Sequence, residues 1–110
     1  MRSYSDPLAL YEALKTAWSA DTSTRWIREV PALGQCSVTA LVVHDIFGGD
    51  ILKTRTAQGV HFYNRIGTER WDLTISQFAD PIPFEDLPAT REEAMADTSP
   101  KQYEALRSSL

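Results

Sequence analysis

The chain has 110 residues, of which 43% are apolar, and carries a formal net charge of −4. That length suits one domain with a single core, residues 1–110, which buries roughly two-thirds of its unfolded surface and folds without disulfides or a structural metal. A lone Cys36 with two histidines is a poor zinc set, so no disulfide scaffold, metal or cofactor is expected; the acidic balance and the scatter of Arg25, Arg28, Lys53, Arg55, Arg65 and Arg70 weigh against nucleic acid.

Met1 to Pro7 contains Arg2 but no apolar run of signal-peptide length, and the longest apolar stretch, Val38 to Val43, falls far short of the ~20 residues of a membrane span. A cytoplasmic protein without membrane contact is therefore expected. Asp6 before Pro7 has the form of a helix start, and Leu10, Tyr11, Leu14, Ala17 and Trp18 recur at helical spacing, which predicts a first helix from Pro7 to about Ala20. The polar run Asp21 to Thr24 ends it. A loop through Trp26, Ile27, Val30, Pro31 and Gly34 carries enough apolar weight to pack down.

Gln35 to Phe47 is apolar on nearly every side of a helical wheel, the pattern of a buried central helix, and Gly48-Gly49 closes it. Ile51 to Thr56, Val60 to Ile66 and Arg70 to Thr74 then read as a three-stranded antiparallel meander packed on that helix. The predicted fold class is α+β, with its core at about residues 7–80. Thr74 with Gln77 has the form of a capping box, Pro81 and Pro83 mark an irregular crossing, and Thr90 with Glu93 and Ser99 with Gln102 open two short polar helices. The segment at about residues 88–110 is expected to be peripheral, with one face docked or offered to a partner. The acidic pairs Glu85-Asp86 and Glu92-Glu93 read as solvated surface.

Cys36 stands at the predicted start of the central helix, where backbone N–H groups lack intrahelical partners and the dipole is positive. That environment favours a thiolate, and the free N–H groups can hold the oxyanion formed when a carbonyl is attacked. A base is supplied by His61 on the second strand, and a carboxylate to orient it by Asp72 on the third. If Gly67-Thr68 is a two-residue turn, Ile66 faces Glu69, Tyr63 faces Asp72 and His61 faces Thr74. His61 and Asp72 then share one face, about 7 to 8 Å apart along the diagonal. A three-residue loop without a bulge would separate them. Taken singly, Cys36 reads as a packing residue, His61 as a half-buried strand residue and Asp72 as a turn anchor; their order and placement make the case for chemistry. His44, turned about 80° from Cys36 around the helix, is read as structural, and Asn64 points away from His61.

Trp26, Pro31, Gly34-Gln35-Cys36, Thr39 to Val43, Gly48-Gly49, His61-Phe62-Tyr63-Asn64, Asp72-Leu73-Thr74 and Gln77-Phe78 together resemble the YunG-like family of small uncharacterised bacterial proteins. More distantly, Cys on a helix, His on a strand and Asp on the next strand resemble the papain-like and transglutaminase-like core in a compact version. That resemblance implies a catalytic Cys36, His61 and Asp72, with Gln35 and Trp26 as candidates for the oxyanion position or the border of the site. The expected activity is cysteine-dependent amide hydrolysis or acyl transfer on a small-molecule or peptide substrate. Its rival is a non-catalytic protein-interaction domain that keeps a degenerate papain-like core. The residues carry no statement of oligomeric state.

Overall fold

The computed structural model describes residues 3–110; Met1 and Arg2, where the expectation of no export signal begins, lie outside them. Helix α1 runs from Pro7 to Ala17 because Asp6 caps it, its Oδ1 accepting from the Ala9 amide at 2.8 Å, and Pro7 occupies the first helical position. It ends three residues before the predicted Ala20: Trp18 turns to extended backbone, and its indole N–H donates to Thr39 Oγ1 at 2.9 Å.

Helix α2, Cys36–Phe47, lies at the centre, and every residue from Cys36 to Val43 is buried. One side, with Val38, Val42 and Val43, packs with Leu10 and Leu14 of α1. Cys36, Ala40 and Leu41 pack instead with Ile51 and Phe62 of the sheet. Gly48 and Gly49, both at positive φ, stop the helix; a side chain at Gly49 would run into the Arg65 carbonyl, with Cβ only 2.2 Å away.

The sheet has four antiparallel strands in the order β3-β2-β1-β4: β1 Asp50–Thr56, β2 Gly59–Ile66, β3 Glu69–Trp71 and β4 Leu87–Ala89. The meander matches the sequence pattern. β4 does not appear in that pattern, because a three-residue Leu-Pro-Ala segment carries no period; it occupies the sheet edge, where a proline is tolerated. β3 stops at Trp71, short of the predicted Thr74, as Thr74 instead leads into a 3-10 turn, Ile75–Gln77. No capping box forms there. Gln77 Nε2 donates to Thr74 Oγ1 at 3.2 Å, and its Oε1 accepts from the Gly34 amide at 3.3 Å, tying this turn to the residues before α2.

Helices α3, Arg91–Asp97, and α4, Pro100–Ser108, are capped as expected by Thr90, in a full capping box with Glu93, and by Ser99. Of the two arrangements the sequence left open, a docked face is the one found, and it reaches into the core. Ala94 packs with Cys36 and Phe62, Leu106 joins the core around α1 and α2, and both have 0% exposure. Their short polar sequences hide this, since one buried residue per helix is too few to show as a period. Glu85 and Asp86 are not idle surface either: Glu85 pairs with Arg55 at 2.6 Å and Asp86 with Arg70 at 2.5 Å, while Thr54 Oγ1 donates to the Pro83 carbonyl. Residues 83–86 thereby strap the sheet face that carries Thr54, His61 and Tyr63. Among the described residues no helix is long and apolar enough to cross a membrane.

Candidate functional site

The turn at Gly67-Thr68 has two residues, with Ile66 opposite Glu69 and Asn64 opposite Trp71, so the register needed to bring His61 and Asp72 to one face is present. The ladder ends one residue before Asp72, and His61 does not pair with Thr74. Freed from the ladder, Asp72 turns its carboxylate inward. Its Oδ2 accepts from His61 Nε2 at 2.6 Å, and its Oδ1 accepts from the Thr74 amide at 3.1 Å. One carboxylate oxygen thus meets the imidazole while the other meets the turn.

His61 is 2% exposed, wedged between the ring of Tyr63, stacked at 5.9 Å, and the edge-on ring of Phe78 at 4.8 Å. Burial is the strongest single influence on it and pulls its pKa down. Hydrogen bonding to Asp72 and to Cys36, with the charge of each, outweighs burial and pushes it up from 6.5 to about 9. His61 is thus a cation at neutral pH. Its second ring nitrogen, Nδ1, is buried and meets no group among the described residues with full hydrogen-bond geometry. Cys36 lies close enough to act on the ring without meeting full hydrogen-bond geometry.

Cys36 begins α2 behind Gln35, and no side chain caps this helix end. Its first N–H groups remain available, with the positive end of the dipole beside the sulfur. Cys36 and His61 line one open cavity of about 520 Å³, together with residues of the loop before α2, the β1-β2 turn and the α3-α4 junction. Gln77 and Phe78 also reach this wall.

The two border candidates lie elsewhere. Gln35 is wholly buried beneath the cavity wall; its Oε1 accepts from Thr22 Oγ1 at 2.9 Å, and its Nε2 finds no partner among the described residues. Trp26 packs onto the core beside α1 and α2 and does not face the cavity; its neighbour Arg25 does. Residue spacing alone does not reveal which of the two neighbours reaches the cavity. Asn64, as alternation requires, turns away from His61 and donates to the Ala40 carbonyl at 3.1 Å. His44 accepts from Arg91 Nη1 at 2.9 Å, away from the cavity that holds Cys36.

Among the wall residues not read as site residues from sequence are Arg25, Phe78, Asp97 and Gln102. Phe78 stands directly after Gln77 in the motif quoted above, which was a usable signal; the other three come from segments with no periodicity to read. Among the described residues no group of three or more His, Cys, Asp or Glu side chains is placed to hold a metal.

The family model described as YunG protein matches residues 6–110. The chain is 49% identical over 94 residues to the "Uncharacterized protein YunG" of Bacillus subtilis (strain 168), an alignment spanning 86% of this chain and 82% of that protein. No solved structure matches the chain.

Proposed function

The chain belongs to the YunG family, and we propose that it is a cysteine-dependent amide hydrolase or acyl transferase built on a compact papain-like or transglutaminase-like core. One observation carries this. A buried histidine is held by a carboxylate through one ring nitrogen, makes no full hydrogen bond among the described residues at the other, and shares a cavity with a thiol at an uncapped helix N-terminus. A buried polar atom without a partner costs on the order of 1–3 kcal/mol, a strain tolerated where a group must be free to exchange a proton.

The Cys36 sulfur, as a thiolate beside the protonated His61, adds to the carbonyl carbon of an amide or thioester, forming a C–S bond. The negative charge moves to the carbonyl oxygen, to which the backbone N–H of Cys36 donates a hydrogen bond. Collapse breaks the bond to the leaving amine or thiolate as His61 returns the proton to it. Water or an acceptor amine, deprotonated by His61, then attacks the thioester and releases the Cys36 thiolate beside the again protonated His61. Asp72 fixes the ring orientation and favours its cationic form throughout.

The test is alkylation of Cys36 by iodoacetamide at pH 7, measured beside N-acetylcysteine amide. Expected is a rate at least about tenfold above the reference, falling to the reference in His61→Ala. A wild-type rate equal to the reference, unaffected by His61→Ala, would favour the non-catalytic interaction domain.

A further inference from the structure

Most cations of this acidic chain are spent on internal pairs: Lys15 with Glu12, Lys53 with Glu93, Arg55 with Glu85, Arg65 with Asp50, Arg70 with Asp86 and Arg91 with Asp45. Arg25 has no acidic partner among the described residues, yet it is the one Lys or Arg on the wall of the cavity that holds Cys36 and His61.

Its position is built. Gly34 has φ +73, and a Cβ placed there would lie 2.4 Å from Ser23 Oγ, 2.9 Å from Arg25 Cβ and 3.3 Å from Arg25 Cδ. The arginine stem therefore lies against the bare Cα of Gly34. The Arg25 amide donates to Ser23 Oγ at 3.1 Å, and the Gly34 amide donates to Gln77, fixing both sides of the contact. Gly34 is two residues before Cys36, so their Cα atoms are at most about 7 Å apart. Asp97 is the only other carboxylate or Lys/Arg charge on that wall; it comes from the end of α3 and forms no pair with Arg25.

We propose that Arg25 is the specificity residue of this site and binds a carboxylate on the substrate, making the substrate class amides or thioesters that carry a free carboxylate near the scissile carbonyl. This rests on Cys36 being the nucleophile. The planar guanidinium takes a carboxylate through two parallel N–H···O bonds, which fixes orientation as well as charge. A peptide C-terminus or an N-acylated amino acid has the required group.

Two alkylating agents of similar size separate the possibilities: iodoacetate, which carries a carboxylate next to the reacting carbon, and iodoacetamide, which does not. The readout is the ratio of their rates on the full chain at pH 7, relative to the same ratio on N-acetylcysteine amide. Expected is a ratio about tenfold above the reference in the wild type. Arg25→Gln should return it to near the reference and Arg25→Lys should retain part of it, since lysine keeps charge without the planar fork. Arg28→Gln, off the cavity wall, should leave it unchanged, and melting curves establish that each variant is folded. Fast iodoacetamide labelling with a ratio unchanged by Arg25→Gln would overturn the carboxylate assignment and leave the nucleophile intact. Slow iodoacetamide labelling of the wild type would remove both.

Discussion

Asp72 holds His61 with one carboxylate oxygen and the turn behind it with the other: Oδ2 accepts from Nε2 at 2.6 Å while Oδ1 accepts from the Thr74 amide at 3.1 Å. A carboxylate tied at both oxygens has little freedom to rotate, so the imidazole it grips is also fixed. The strand must end at Trp71 for this to happen, because a ladder continued through Asp72 would commit the backbone that now turns at Thr74.

This coupling sets a pH dependence. His61 has a folded pKa near 9, above its ordinary 6.5, so its contribution to stability is complete below about pH 6.5 and is lost as pH rises through about 9. The wild-type melting temperature should fall across that interval. Asp72→Asn keeps the shape and removes the charge, so its decline should be shallower and its His61 titration, followed by imidazole NMR, should move toward 6.5. An unmoved titration would show that Asp72 does not govern the ring.

Cys36→Ala removes the only thiol of the sequence. Cys36 packs among Ala40 and Phe62 as a small buried side chain, so its replacement should cost about 1 kcal/mol and leave the chain folded. Alkylation should vanish, and the His61 titration should drop, since Cys36 is one of the groups that raises it. Urea unfolding and NMR check the two halves independently.

Gly34→Ala meets two obstacles, a positive φ and the contacts of its new methyl with Ser23 and Arg25. Strained backbone of this kind costs on the order of 1–3 kcal/mol before the clash is added. A clear loss of stability in urea is expected, together with slower labelling of Cys36, because the same turn delivers the start of α2. A stability equal to wild type would mean that the turn is free to rearrange.

Leu106→Ala tests whether α4 belongs to the core. A fully buried leucine replaced by alanine costs about 2–5 kcal/mol. A loss below about 0.5 kcal/mol in urea unfolding would mean that α4 is detached in solution.

Much of the molecule could be read one residue at a time. Asp6-Pro7 announces the start of α1, Thr90 with Glu93 that of α3, and Ser99-Pro100 that of α4, because capping is settled by side chains three residues apart. Thr74 with Gln77 has the same form and did not cap, since the Thr74 amide donates to Asp72 and Gln77 Oε1 accepts from Gly34, a residue 43 positions away. A local motif predicts a local bond only when no distant partner competes for it.

The candidate site divides along the same line. The sequence by itself determined that Cys36 opens an apolar helix ended by Gly48-Gly49, and that a two-residue turn at Gly67-Thr68 would carry Asp72 to the side of the sheet that bears His61, because helical period, strand alternation and turn length are short-range steric properties of the backbone. Only the tertiary structure decided that Arg25 rather than Trp26 faces the cavity, that β4 closes the sheet edge, and that α3 and α4 bury Ala94 and Leu106 against the core. Each of these depends on which surfaces are left to cover once α2 and the meander have packed, and that remainder is a property of the whole assembly of elements.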